Sequence, residues 1–308
     1  MRRGLLLATA LILMLATLPL TPYRSAKSQG TGDWLVTGTE VRQGEIIVLN
    51  GNLIVLPGGN LTLVNCTLVL NSTSTRTLNI TVRSGGSLYI LANSTVMSAD
   101  PAHYYDFLVQ GRLVVRDSAI YCPSEILVQS NEGVFFERAA VVFGRNNAIY
   151  CMDSSNVLVL NTFFIDNGNC GFRAYRSCDI NLTGCAAYGN RYGIYLSYSN
   201  STTISSCSID ENAEKGLYCE ECFNVTIFNC AIADSGGYGA HFWGSYNITL
   251  RYNSFTRDGL FIEHGFSTEL RHYASFKIEG NVVNGKPLYY VVNSSGVTVP
   301  SDAGEVIV

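Results

Sequence analysis

Five side chains able to recognise or react recur at steps of 22 or 23 residues: Tyr150, Arg173, Tyr195, Tyr218 and His241. A second series stands two residues further on, Met152, Tyr175, Ser197, Glu220 and Trp243, and Phe261 and Glu263 extend the two series by one member each. Rings, a guanidinium and carboxylates repeated in this way offer the chemistry of sugar recognition. Aromatic faces cover the apolar faces of pyranose rings, and Arg, Glu and His hydrogen-bond to hydroxyls or pair with uronate carboxylates. The expected carbohydrate-binding residues are Tyr150, Arg173, Tyr175, Tyr195, Tyr218, His241 and Trp243. The competing explanation is that tyrosines favour the outer face of a sheet and stack across strands whether or not anything binds.

Turnover would ask for more. A lyase or hydrolase would need paired carboxylates, or a base plus a Ca²⁺ ion held by several acids. Glu220, His241 and Glu263 are the catalytic candidates, whereas Asp210, Glu211, Glu214 and Glu221 mostly fall at turns, where acids are simply solvated. We therefore place binding ahead of catalysis and expect no cofactor, with Ca²⁺ reserved for the lyase case. Cys219 and Cys222 have the spacing of metal ligands, with His241 one repeat on, but Cys219 faces inward and no second cysteine pair completes a set, so no metal site is expected. Of the ten cysteines, Cys185, Cys207 and Cys230 share one inward column and read as small buried residues replacing Asn or Thr. An adjacent pair would oxidise only if the Cβ atoms came close enough.

The elements that must carry these residues follow from the period. With Asn156, Asp179, Ser201, Asn224 and Asn247 as position zero, Thr162, Cys185, Cys207, Cys230 and Asn253 stand at plus six, and Asn167, Asn190, Asn212, Ser235 and Asp258 at plus eleven. A small residue, Ala148, Gly171, Gly193, Gly216 or Gly239, opens each copy. Apolar columns at plus one, plus three and plus eight predict three short inward-facing strands per repeat, stacked as coils of an all-β solenoid. The polar columns at zero and plus six are expected at corners as hydrogen-bonded ladders. Regular coils span residues 147–258, and looser ones extend from 30 to about 145. Asp100 to Tyr105 is expected to loop out of the stack, and about five extra residues fall near His264 to His272 before the register resumes at Ser275.

Residues 1–29 read as a signal peptide, with Arg2 and Arg3 before the apolar run Gly4 to Leu20, or failing that an N-terminal anchor. The expected location is secreted or cell surface. Among the Asn-x-Ser/Thr triplets, Asn71, Asn79 and Asn93 are the glycosylation candidates because their surroundings read as turns; Asn224 and Asn247, on the ladder column, are expected to be buried. A net charge of −4 without basic clusters argues against nucleic acid. The chain ends on the apolar Val306, Ile307 and Val308, where a solenoid needs a cover, so self-association or further chain is expected at that end.

The stretches Gly193-Ile194-Tyr195-Leu196, Asn224-Val225-Thr226-Ile227 with Asn229-Cys230, and Gly280-Asn281 through Tyr289-Tyr290 resemble the repeats of NosD-like proteins, which overlap the carbohydrate-binding and sugar-hydrolase β-helix group. The resemblance covers roughly residues 45–308. It implies a right-handed parallel β-helix, exported, with a polysaccharide-related or cell-surface structural role and a glycan as partner. For NosD itself it implies a role in copper handling, which makes a copper accessory protein a third reading after binding and turnover.

Overall fold

A computed structural model describes residues 27–28, 32–265 and 269–308; the expected signal segment lies almost wholly outside these. The chain winds as a parallel β-helix in which each coil contributes an opening, a middle and a closing strand. Eleven opening strands run from Trp34–Val36 to Leu260–Glu263, and eleven middle strands from Thr39–Gln43 to Lys277–Glu279. The closing sheet runs through Ile46–Leu49 to Val282–Val283 and is extended by the last strands of the chain.

Inward columns fall where the repeat places them. Val157, Ile180, Thr202, Val225 and Ile248 are buried, as are Val159, Leu182, Ile204, Ile227 and Leu250 beside them and Phe164, Ala187, Ile209, Ile232 and Phe255 in the closing sheet. Stacking coil on coil buries a continuous apolar core that no single coil could form.

The corners obey a rule that the polar columns alone did not reveal. Each strand of a regular coil is followed by a residue with positive φ, and then at once by a small polar or cysteine side chain that is buried everywhere except at the half-buried Ser235. Asp153, Asn161 and Asp166 have φ of 51°, 48° and 51°, and the next residues are Ser154, Thr162 and Asn167, all buried. Three ladders result. Plus six and plus eleven are two of them; the third, Ser154, Ser177, Ser199, Cys222 and Ser245, stands two residues before position zero. Position zero itself is not a buried ladder. Asn156, Asp179, Ser201, Asn224 and Asn247 are exposed, with φ between 50° and 58°. Asn and Asp recur there because they tolerate the left-handed region, which is a backbone reason for a polar column.

A ladder asparagine satisfies four groups at once. Asn190 Oδ1 accepts the Asn167 backbone N–H and side-chain amide, both at 3.0 Å. Its own Nδ2 donates to the carbonyls of Phe164 at 3.0 Å and Tyr188 at 3.1 Å. Cysteine fits the same place less fully: the Cys185 thiol donates to the Val159 carbonyl at 3.4 Å. All ten cysteines are free thiols.

The small column at the head of each opening strand has a steric cause. A Cβ on Gly193 would lie 2.5 Å from both the Gly216 carbonyl oxygen and Ile209 Cγ2. The chain kinks there, and the kink turns Tyr192, Lys215 and Tyr238 onto the outer face, although strict alternation from Ile194 would send them inward.

Of two other expectations, one changes and one holds. The loop before the strand Tyr105–Val109 stops at Tyr104; Tyr105 opens that strand and is fully buried, its hydroxyl donating to the Val96 carbonyl. Ser275 does resume the register: its hydroxyl accepts the Asn247 backbone N–H, and Leu250 pairs with Ile278. Part of the extra length forms a short helix, Leu270–Tyr273.

The chain itself supplies part of the cover over the last coil. Strand Lys286–Tyr290 turns back antiparallel to Val282–Val283, and Glu305–Ile307 pairs with it. Tyr290 and Ile307 pack against the core. Glu305 accepts the Leu260 backbone N–H at 3.0 Å, where a further coil would have offered a carbonyl. An open cleft of about 580 Å³ remains there, lined by Ile262, Tyr273, Tyr290 and Ile307 on one hand and Asn293, Ser294 and Ser295 on the other.

Candidate functional site

The opening sheet carries both expected series in register. Tyr150 pairs with Arg173, Arg173 with Tyr195, Tyr195 with Tyr218, Tyr218 with His241, and His241 with Phe261. The second series, Met152 through Trp243 to Glu263, runs beside it. Parallel in-register pairing puts each member about 4.8 Å above the last.

That spacing stacks the rings on one another. Tyr195 and Tyr218 have centroids 4.8 Å apart at 25°, and Tyr218 and His241 lie 5.0 Å apart at 28°. Tyr238 covers Phe261 at 4.6 Å, and the Arg173 guanidinium sits between Tyr150 and Tyr195, 4.7 Å and 5.2 Å from their centroids. Ring faces therefore meet neighbouring rings and are covered by them. What the stripe offers along its length is hydrogen bonding more than open aromatic platforms.

The hydroxyls and the imidazole are organised by carboxylates of the next coil. Tyr195 donates to Glu220, and Tyr192 to Glu214. Burial, then the bond to Glu220, pushes the Tyr195 phenol well above its ordinary value. His241 Nε2 lies 3.0 Å from Glu263 Oε2, and Nδ1 has no partner. Although it belongs to an outward column, His241 is only 6% exposed, because Tyr218, Tyr238 and Phe261 surround it. Burial foremost, and then Lys215, hold the imidazole below its ordinary pKa, against the pull of Glu263.

Lys215 is the member that sequence reasoning missed. Its Nζ lies 3.7 Å from the centroid of the Tyr218 ring, and burial lowers the ammonium pKa. The available signal was the recurrence of Tyr192, Lys215 and Tyr238 three residues before Tyr195, Tyr218 and His241. Of the remaining expected residues, Tyr175 meets Tyr198 edge-on at 5.9 Å and the Arg176 guanidinium at 4.8 Å, and Trp243 stands between Glu220 and Glu263 in register.

The longer insertions border this same sheet. Segments 71–78 and 99–104 precede its early strands, and 264–276 follows its last strand. In repeat architectures such insertions collect on one face, often the binding face.

Cys219, Cys222 and His241 do not come together as a copper site. Cys219 points into the core and Cys222 lies in the buried serine ladder, both without exposure. Burial foremost keeps the Cys219 thiol protonated, well above its ordinary pKa. His241 is on the opposite side of the same sheet from Cys219, and among the described residues no three His, Cys, Asp or Glu side chains converge to hold a metal ion. Among the glycosylation candidates, Asn71 and Asn93 are exposed, but Asn79 opens the strand Asn79–Val82 and its Oδ1 accepts from Thr81. Asn224 and Asn247, expected to be buried, are exposed instead and hydrogen-bond to each other.

Comparison with known proteins places this architecture. No curated protein matches the chain in sequence. In structure it is similar to a double mutant of the periplasmic alginate epimerase AlgG, with a TM-score of 0.57 at 11% identity over 93% of this chain and 79% of that one. It is also similar to the A-module of the mannuronan C-5 epimerase AlgE6 of Azotobacter vinelandii, with a TM-score of 0.53 at 12% identity over 96% and 94%. These likenesses establish the right-handed parallel β-helix. The family model described as periplasmic copper-binding protein (NosD) matches residues 71–260, and the chain belongs to the NosD family.

Proposed function

We propose that this is an exported carbohydrate-binding or cell-surface β-helix protein that binds a polysaccharide along the outer face of its opening sheet. The observation that carries this reading is the unbroken register of Tyr150, Arg173, Tyr195, Tyr218, His241 and Phe261, with hydroxyls, carboxylates and cations held in fixed positions beside it. A ligand with a repeating unit suits a surface that repeats itself. Several coils at about 4.8 Å each make a stripe long enough for several sugar rings. Export would use the segment 1–29, and a glycan is the partner.

Two of the fold neighbours are named as an alginate epimerase and a mannuronan C-5 epimerase, which is compatible with a polysaccharide lying on this scaffold. Binding is preferred to turnover because Glu220 and Glu263 are each engaged by a ring of the preceding coil, and His241 is buried. A glycan array probed with the full chain tests the reading. Binding without product is expected, and Tyr195→Ala with Tyr218→Ala should abolish it. Retained binding in that double variant would move the site elsewhere, and release of unsaturated or reducing ends would replace binding with catalysis.

A further inference from the structure

We propose that the ligand is a linear acidic polysaccharide, a polyuronate lying parallel to the solenoid axis, with Arg173 and Lys215 taking carboxylates from alternate sugars. This rests on the carbohydrate-binding reading above and adds the charge, direction and spacing of the ligand.

Most polar groups on the face already have a partner within the protein. Glu214 receives Arg191 at 2.6 Å and the Tyr192 hydroxyl. Glu220 receives the Tyr195 hydroxyl, Glu263 faces His241, and Glu125 accepts from the Asn147 amide at 2.6 Å. Arg176 pairs with Asp153 at 2.7 Å. Among the described residues of these outward columns, two cations have no carboxylate in contact, Arg173 and Lys215. Arg173 Nε is buried without a hydrogen-bond partner. The field of Glu214, Glu263 and Glu220 reaches Lys215, yet none forms an ion pair with it, and burial remains the largest influence on the ammonium. The acids beside the stripe thus have hydrogen-bond donors within the protein, neutral ones except for Arg191, whereas Arg173 and Lys215 have no carboxylate in contact. Holding an ammonium partly away from water is costly, and a carboxylate in direct contact would offset that cost beyond what the three acids at a distance supply.

Placement then selects the shape of the ligand. Cys170 pairs with Tyr192 and Tyr192 with Lys215, so Lys215 stands two coils beyond the strand of Arg173, about 9 to 10 Å along the axis. A pyranose ring in an extended chain advances by roughly one coil rise, and a chain turning over at each linkage shows the same substituent on the same side at every second sugar. Arg173 offers a planar fork suited to a carboxylate, and Lys215 a point charge. The Tyr195 ring lies in the coil between them, stacked on Tyr218 of the Lys215 strand, with the Tyr195–Glu220 pair available to the hydroxyls of the intervening sugar.

Calorimetric titration of the full chain with size-matched oligouronates and neutral β-linked glucan oligomers tests this. Oligouronates should bind with an affinity that falls as salt rises, and neutral oligomers should not compete. Arg173→Gln and Lys215→Gln should each weaken binding by about tenfold, and Lys215→Arg should retain it. Both glutamine variants replace outer-face residues, and unchanged melting temperatures would establish that they fold. Equal binding of neutral oligomers, or indifference to both glutamine variants, overturns the acidic-ligand inference and leaves the carbohydrate-binding reading standing. Failure of any glycan to bind removes both.

Discussion

Asp258 accepts the backbone N–H of Ser235 through Oδ2 at 3.1 Å, while its Oδ1 is buried without a partner. In the coils before it, Asn190 and Asn212 put an amide nitrogen at the second position, and it donates to two carbonyls. A carboxylate oxygen has no proton to give there. Burial is the largest of the influences that raise the Asp258 pKa, and Asp234 and Asp210 add to it. Because the folded-state pKa lies above the unfolded value, the contribution of this residue is most favourable below the unfolded pKa and is lost as pH rises through the folded one. Asp258→Asn should therefore stabilise the protein at pH 7, by about 1–3 kcal/mol. The gain should shrink in urea melts at about pH 4, and equal gains at both pH values would contradict the ladder geometry.

A second prediction separates the buried ladder from the exposed polar column. Asn190→Ala removes the side-chain hydrogen bonds of one ladder rung and strands the Asn167 backbone N–H, for an expected loss of about 2–4 kcal/mol. Asn224→Gly should be neutral or slightly stabilising, because glycine adopts its φ of 54° without a Cβ penalty and the side chain is exposed. Comparable destabilisation by both would restore position zero as a ladder.

These two asparagines show what the sequence made legible. Period and apolar columns located the strands, because burial selects side chains every second residue and coil stacking repeats them. Polar repetition was ambiguous, since a column of Asn records either a side-chain ladder, as at Asn190, or a left-handed backbone, as at Asn224. The outward series at Tyr195 and Tyr218 was readable from alternation alone. Lys215 was not, because the kink at its glycine neighbour breaks alternation, and the burial of His241 depends on rings contributed by other coils.

That kink gives a third prediction. Gly193→Ala drives a Cβ into the Gly216 carbonyl and Ile209, and should cost about 1–3 kcal/mol. Gly38→Ala meets nothing within 4 Å and serves as the control, with an unchanged melting temperature.

His241 should titrate in the opposite sense to Asp258. Its folded-state pKa is lowered, by burial first and by Lys215 second, so protonation favours unfolding and stability falls as pH drops below the unfolded value of about 6.5. His241→Phe keeps a ring between Tyr218 and Phe261 and should flatten the pH dependence between about 6.5 and 5. A wild-type melting temperature that does not fall over that interval relative to the variant would show that the imidazole is not held neutral.

The most direct measurement is a crystal structure of the full chain with a bound oligouronate. The sugar chain should lie along the opening sheet, parallel to the axis, with carboxylates from alternate residues in contact with Arg173 and Lys215 and hydroxyls near Tyr195 and Glu220. An oligosaccharide seated instead on the closing sheet, or in the cleft beside Tyr273 and Tyr290, would contradict the account.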